Sequence, residues 1–181
     1  GKPVDFCVPT GNFGDILAGY YAKQMGLPVG RLVCASNRNN VLTDFLRTGT
    51  YDARRTFYKT TSPSMDILIS SNLERLLYHV SGSSEKVAGW MQELSATGKY
   101  TVDAETLAKI QQSFAAGYAD DADGAAEIKA RFDGDHYLCD THTAVAFRVA
   151  ETRRTDAPMV VLSTASPFKF PRDVLTALGV E

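Results

Sequence analysis

Apolar residues along this chain fall into short unbroken runs separated by stretches with helical spacing. Val4, Phe6, Cys7 and Val8 make the first run, and Pro9, Thr10 and Gly11 end it, which predicts a strand closed by a turn. Residues 15–25 are apolar nearly all round apart from Lys23 and Gln24, and they stop at Gly26 and Pro28. That pattern predicts a largely buried helix. A second apolar run at residues 31–35 predicts another strand, and residues 40–47 a helix ended by Gly49. Strand, turn, helix, strand in that order is a βαβ unit, which implies a parallel sheet with a right-handed crossover.

The middle of the chain reads differently. Ser71 and Glu74 have the spacing of a capping box, and Leu73, Leu76, Leu77 and Val80 follow on one helical face. Val87, Trp90, Met91 and Leu94 repeat that spacing, Asp103 is placed to cap a further helix, and residues 123–132 are polar and Ala-rich. Within residues 83–135 only 114–118 read as a strand. This span is therefore expected to be a mostly helical insertion in one domain covering residues 1–181. Further on, Asp140 caps a helix reaching about residue 153, residues 159–164 read as a strand, and Pro171 opens a helix closed by Gly179. The fold class expected is α/β: a parallel-sheet βαβ domain with a helical excursion.

Composition narrows the function classes. Of 181 residues, 19 are basic and 21 acidic, a formal charge of −2, so nothing electrostatic calls for nucleic acid or an anionic membrane. Hydrophobic residues make up 44%, enough for a core, which excludes a disordered or low-complexity chain. No apolar run approaches the roughly 20 residues of a membrane helix. Cys7, Cys34 and Cys139 are widely spaced without a CxxC, which argues against a disulfide framework or a metal site and suits a reducing, cytoplasmic setting. The first residue is Gly1 rather than Met, with a strand directly behind it, so the chain is expected to be a piece of something longer.

Candidate chemistry concentrates in residues 8–15, VPTGNFGD, between a strand and a helix. Gly11 and Gly14 let backbone turn tightly and approach a ligand. The helix that follows aims unpaired N–H groups and its positive dipole end at the same place, an arrangement suited to a phosphate. Neither GxxxxGK[ST] nor GxGxxG is present. A bare βα turn with no ligand remains open at this point.

Residues 8–19 (VPTGNFGDILAG), with KQMGLP at 23–28, resemble the phosphate-loop segment of threonine synthase. The likeness continues through ASNRNNVL at 35–42, TGTY at 48–51, PSMDI at 63–67 with SSNLER at 70–75, DTHTA at 140–144 and STASPFKF at 163–170. The resemblance implies a portion of a pyridoxal-phosphate (PLP) enzyme of fold type II, the tryptophan-synthase-β-like group. It matches the C-terminal part of the family's longer, fungal-and-bacterial type. Gly11, Asn12, Phe13, Gly14 and Asp15 match the loop whose amides hold the cofactor phosphate. Thr164 matches the hydroxyl residue that hydrogen-bonds the pyridine nitrogen. The implied reaction converts O-phospho-L-homoserine and water to L-threonine and phosphate.

Other positions leave alternatives. Asn37, Arg38 and Asn39 follow a strand end and could face a substrate phosphate or simply form a solvated loop. His142 lies in a helical first turn within a family block, as a structural imidazole or more; Ser64 and Asp66 could merely shape a turn after Pro63. His79 and His136 read as surface residues. None of the eight lysines, Lys169 included, matches the family's Schiff-base lysine, which is expected upstream of Gly1; no catalytic residue is assigned in this chain, and it is expected to be inactive alone. The rival readings are a related PLP-dependent phospho-lyase acting on another amino acid, and a non-catalytic phosphate-binding module. Oligomeric state is not legible.

Overall fold

A computed structural model describes residues 2–180; Gly1 and Glu181 lie outside the described residues. β1 (Val4–Pro9), α1 (Gly14–Gln24), β2 (Val29–Ser36) and α2 (Val41–Thr48) come first. β3 (Thr50–Asp52), α3 (Leu73–Ser81), α4 (Ser84–Thr97), β4 (Lys99–Thr101), α5 (Ala104–Gln111) and β5 (Phe114–Tyr118) follow. Then come α6 (Asp121–Asp135), α7 (Thr141–Glu151), β6 (Met159–Val161) and α8 (Pro171–Leu178).

The expected βαβ unit is present, and the main sheet is parallel throughout, in the order β5-β2-β1-β6. Val8, Leu32 and Cys34 pack on one face with Ile16 and Leu17 of α1 and Phe45 of α2. Cys7, Val33 and Ala35 pack on the other with Val145, Ala146 and Val149 of α7. Covering both faces is what makes these strands read as continuous apolar runs rather than alternating ones. From β1 the chain steps outward to β2 and then β5, and afterwards returns to place β6 on the opposite side of β1. The order therefore reverses between β1 and β6. In open α/β sheets the loops part at such a reversal and leave a crevice at the carboxyl ends of the strands. The turns after β1 and β6 both lie at that end.

Several expectations need correction. β3 and β4 form a separate antiparallel ribbon with Tyr51 opposite Tyr100, their rings stacked with centroids 5.4 Å apart. Strands of three residues are too short to show a period. The Ser71–Glu74 capping box does not form. α3 begins after Asn72, whose backbone N–H and Nδ2 both donate to the Asn12 carbonyl, at 3.1 and 2.9 Å. α1 buries only Ile16 and Leu17 fully, because the apolar groove between it and β6, lined by Phe6, Ala18, Ala22, Val160 and Leu162, stays open among the described residues. β6 ends at Val161 rather than residue 164. Within the 83–135 span, β5 pairs with β2 in the main sheet while β4 belongs to the ribbon.

Candidate functional site

β1 stops abruptly at Thr10. Its N–H donates to the Ala35 carbonyl at 2.8 Å and its hydroxyl to the Val8 carbonyl at 2.7 Å, which ties the start of the turn to both central strands. Gly11 follows. A Cβ there would stand 2.8 Å from the Ser64 carbonyl oxygen and 3.3 Å from the Met65 Cα, so only glycine fits without moving backbone. Phe13 adopts φ 66°, the left-handed region that costs a non-glycine residue roughly 1–2 kcal/mol. Its ring is 1% exposed and lies 5.6 Å from the Phe114 ring, so burial and aromatic contact hold the strained backbone in place.

The polarity of the turn is sorted by these contacts. Ser70 Oγ donates to the Gly11 carbonyl at 2.8 Å, and Asn72 holds the Asn12 carbonyl. Carbonyls are therefore occupied from behind. Among the described residues no acceptor is provided for the backbone N–H groups of residues 11–15. Five unpaired donors at the start of an eleven-residue helix present positive potential to an anion. Asp15 is an exposed carboxylate in the first turn of α1, at the border of the groove beside β6.

The remaining sequence candidates are placed unequally. Thr164 lies just past β6, after the Leu162 N–H has made its bond to the Cys7 carbonyl. It is exposed, and its hydroxyl has no hydrogen-bond partner among the described residues. That puts it at the carboxyl end of the strand neighbouring the glycine turn, as expected, but outside any strand interior. Asn37 and Asn39 are 1% and 2% exposed and are turned inward. Both donate Nδ2 to Asp66 Oδ1, at 2.8 and 3.0 Å, while Thr60 contributes its N–H and hydroxyl to the same carboxylate. Their amides are spent on tying the turn after β2 to residues 58–66. Arg38 differs: it is exposed, its guanidinium 3.8 Å from the centre of the Tyr58 ring.

Sequence reasoning left three contributors unassigned. Ser70 and Asn72 support the turn from behind, and both lie in the SSNLER block, but a serine and an asparagine carry no marker of such a role. The third is His142, 3% exposed, with Nδ1 3.0 Å from Asp140 Oδ1 and Nε2 accepting from the Ser64 N–H at 3.2 Å. Its spacing from the Asp140 cap was the available signal. His79 bonds the Tyr21 hydroxyl at the surface, and His136 ends α6 at φ 55°. The thiols of Cys7, Cys34 and Cys139 are all pushed up to about 12 by burial, which leaves them protonated and unsuited to nucleophilic work. Among the described residues no group of His, Cys, Asp and Glu could hold a metal ion, and no helix is long and apolar enough to cross a membrane.

Comparison with known proteins gives the frame for this geometry. The family described as "Threonine synthase, C-terminal" matches residues 143–181. The chain is 43% identical to the threonine synthase of Pseudomonas aeruginosa over 176 residues, covering 96% of this chain and 37% of that protein. Superposed on the PLP-bound threonine synthase of Brucella melitensis, it gives a TM-score of 0.96 at 47% identity, covering 99% of this chain and 39% of that one. The chain is similar to threonine synthases along almost its whole length. It corresponds to the C-terminal part, and the structural likeness makes it a fold-type II domain. Threonine synthase-like 1 of Pongo abelii also matches, at 41% identity over the whole chain but 25% of its own length. The chain thus spans between a quarter and two fifths of the length of these relatives.

Proposed function

We propose that this chain is the cofactor-cradling part of a threonine synthase, and that its glycine turn receives the phosphate of pyridoxal 5'-phosphate. The observation that carries this is the set of five unpaired amides at residues 11–15, in a chain 47% identical to a PLP-bound threonine synthase. The fit is chemical as well as spatial. A doubly charged phosphate needs several donors and no nearby acceptor, and the turn offers N–H groups while its Gly11 and Asn12 carbonyls are engaged elsewhere. The glycines allow an oxygen to approach the backbone closely.

When bound, the cofactor supplies an electron sink for carbanion chemistry. The protein's part is to hold and orient. The exposed Thr164 hydroxyl faces the ring nitrogen in this reading, and a hydroxyl does not force a proton onto that nitrogen as a carboxylate would. Of residues 37–39, Arg38 has the side chain able to reach a substrate phosphate, while Asn37 and Asn39 shape the turn beneath it. The substrate is O-phospho-L-homoserine, taken with water to L-threonine and phosphate. The lysine that binds the cofactor covalently comes from outside residues 1–181, so the chain alone is inactive. Three buried unpaired thiols are in keeping with a reducing, cytoplasmic setting.

The test is assay of the full-length protein on O-phospho-L-homoserine with both products measured. Threonine in step with phosphate supports the reading. Phosphate with a 2-oxo acid and no threonine points to an elimination-only enzyme instead. No phosphate from this substrate, and no PLP retained, would overturn it.

A further inference from the structure

We propose that His142 is a positioning residue for the anion cradle, holding the Ser64 backbone against Gly11 and joining the glycine turn to the loop that carries Thr164. The inference rests on the cofactor reading above and extends it to a residue that touches neither cofactor nor substrate.

Three contacts define the role. His142 Nε2 accepts from the Ser64 N–H at 3.2 Å, across 78 residues of sequence. Ser64 is the residue whose carbonyl closes on Gly11, leaving no room for a Cβ. The imidazole also packs on the Phe170 ring, centroids 4.8 Å apart, at the end of the loop that begins after β6. One buried ring therefore touches the backing of the turn after β1 and the far end of the loop after β6. These are the two loops flanking the reversal in strand order.

The tautomer is set from the other side. To accept from an N–H, Nε2 must be bare, so the ring proton must sit on Nδ1. Nδ1 faces Asp140 Oδ1 at 3.0 Å, and that carboxylate also accepts from the His142 and Thr143 N–H groups and from the Thr143 hydroxyl. Burial works to raise the Asp140 carboxyl, but these hydrogen bonds outweigh it and hold it below the ordinary range. An ionised Asp140 accepts from Nδ1–H and thereby leaves Nε2 free for Ser64. A ring serving only to fill space would need neither contact. Such carboxylate–imidazole pairs, in which the outer partner orients the inner one, set ring orientation in many sites.

The experiment uses the full-length protein with three readouts: inorganic phosphate and PLP affinity, melting temperature, and ¹⁵N spectra of labelled histidine. Wild type should show His142 protonated on Nδ1 and bare at Nε2 at pH 8. His142→Phe keeps the aromatic packing on Phe170 but loses the acceptor; phosphate and PLP should bind roughly tenfold more weakly, the loss of about one hydrogen bond's positioning. His142→Gln can return an acceptor to the Ser64 N–H and should recover most of that affinity at a similar melting temperature. Equal affinity in His142→Phe and wild type, or a proton on Nε2, would overturn the proposal. If wild type itself binds neither phosphate nor PLP, the cofactor reading falls. The wild-type tautomer and the Gly11 amide shift in His142→Phe then still decide the positioning role. If His142→Phe fails to fold, the tautomer and His142→Gln decide it.

Discussion

The Ser64 carbonyl oxygen lies 2.8 Å from where a Cβ on Gly11 would stand, so two loops distant in sequence meet backbone to backbone at the candidate site. Gly11→Ala must push one of them away. The expected result is a loss of about 1–3 kcal/mol in stability, as for other overpacked positions, with a larger loss of phosphate affinity. Gly14→Ala is the control. Its Cβ would meet only the Asn72 side-chain Nδ2 at 3.3 Å, which needs to yield by a few tenths of an ångström and can keep its bond to the Asn12 carbonyl. Isothermal titration with phosphate on both variants checks the contrast; equal losses would mean the closeness at Gly11 is not what shapes the turn.

Phe13 holds a left-handed backbone by burying its ring. Phe13→Ala should cost about 3–5 kcal/mol in denaturant unfolding, because the cavity forms while the backbone strain stays. Phe13→Gly removes the same ring but relieves the strain, and should be the milder of the two by up to about 1 kcal/mol. If alanine proves the milder, the backbone at residue 13 is not under strain.

Thr164 is exposed and without a partner among the described residues, so Thr164→Val should change unfolding free energy by no more than about 0.5 kcal/mol. In the full-length enzyme kcat/KM should nevertheless fall by roughly tenfold, the value of one lost hydrogen bond to the ring. Steady-state kinetics set against thermal melting separates the two effects. Unchanged kcat/KM would remove Thr164 from the site.

Asp66 accepts from Asn37, Asn39 and Thr60 together. Asp66→Ala leaves two buried amides short of an acceptor and should cost about 2–4 kcal/mol by urea unfolding. Arg38→Ala touches none of this and should leave stability within about 0.5 kcal/mol of wild type. A raised KM for Arg38→Ala would agree with a substrate contact.

The three cysteine thiols go from 9.0 to about 12 on folding through burial. The native state favours their protonated form, so this contribution is fully present below about pH 9 and is lost as pH rises from there toward 12. Melting temperature should fall progressively across that window. A thiol reagent at pH 8 should modify none of the three in the folded chain and all three in urea; rapid labelling of the native protein would contradict their burial.

Much of this architecture was legible in sequence because its signals are local. The apolar runs of β1 and β2, the Asp103 and Asp140 caps and the Gly49 stop depend on residues within a few positions of one another. The glycine turn was legible for the same reason. What escaped depends on partners far along the chain. Asn72 abandons its helix cap for Asn12, and Asn37 and Asn39 turn inward only because Asp66 lies beneath them. The reading of α1 as buried took apolar composition for coverage, although the groove beside β6 is open among the described residues. Tyr51 and Tyr100 sit in strands of three residues, too brief to register a pattern.

Strand order also governs the sequence of events in folding. Within residues 1–181 β1 comes before every other strand, yet its register with β6 pairs Asp5 with Met159, so one side of this central strand waits for a partner about 150 residues further on. Contacts of such long range close slowly and late. Until then β1 presents an unpaired hydrogen-bonding edge beside the uncovered apolar side chains of Phe6, Ala18 and Ala22, the combination most prone to join a neighbouring chain. Nascent or truncated forms ending before Met159 should therefore be the ones that chaperones capture and that aggregate on expression, while the glycine turn, tied to Ala35 and Asn72, is already in place.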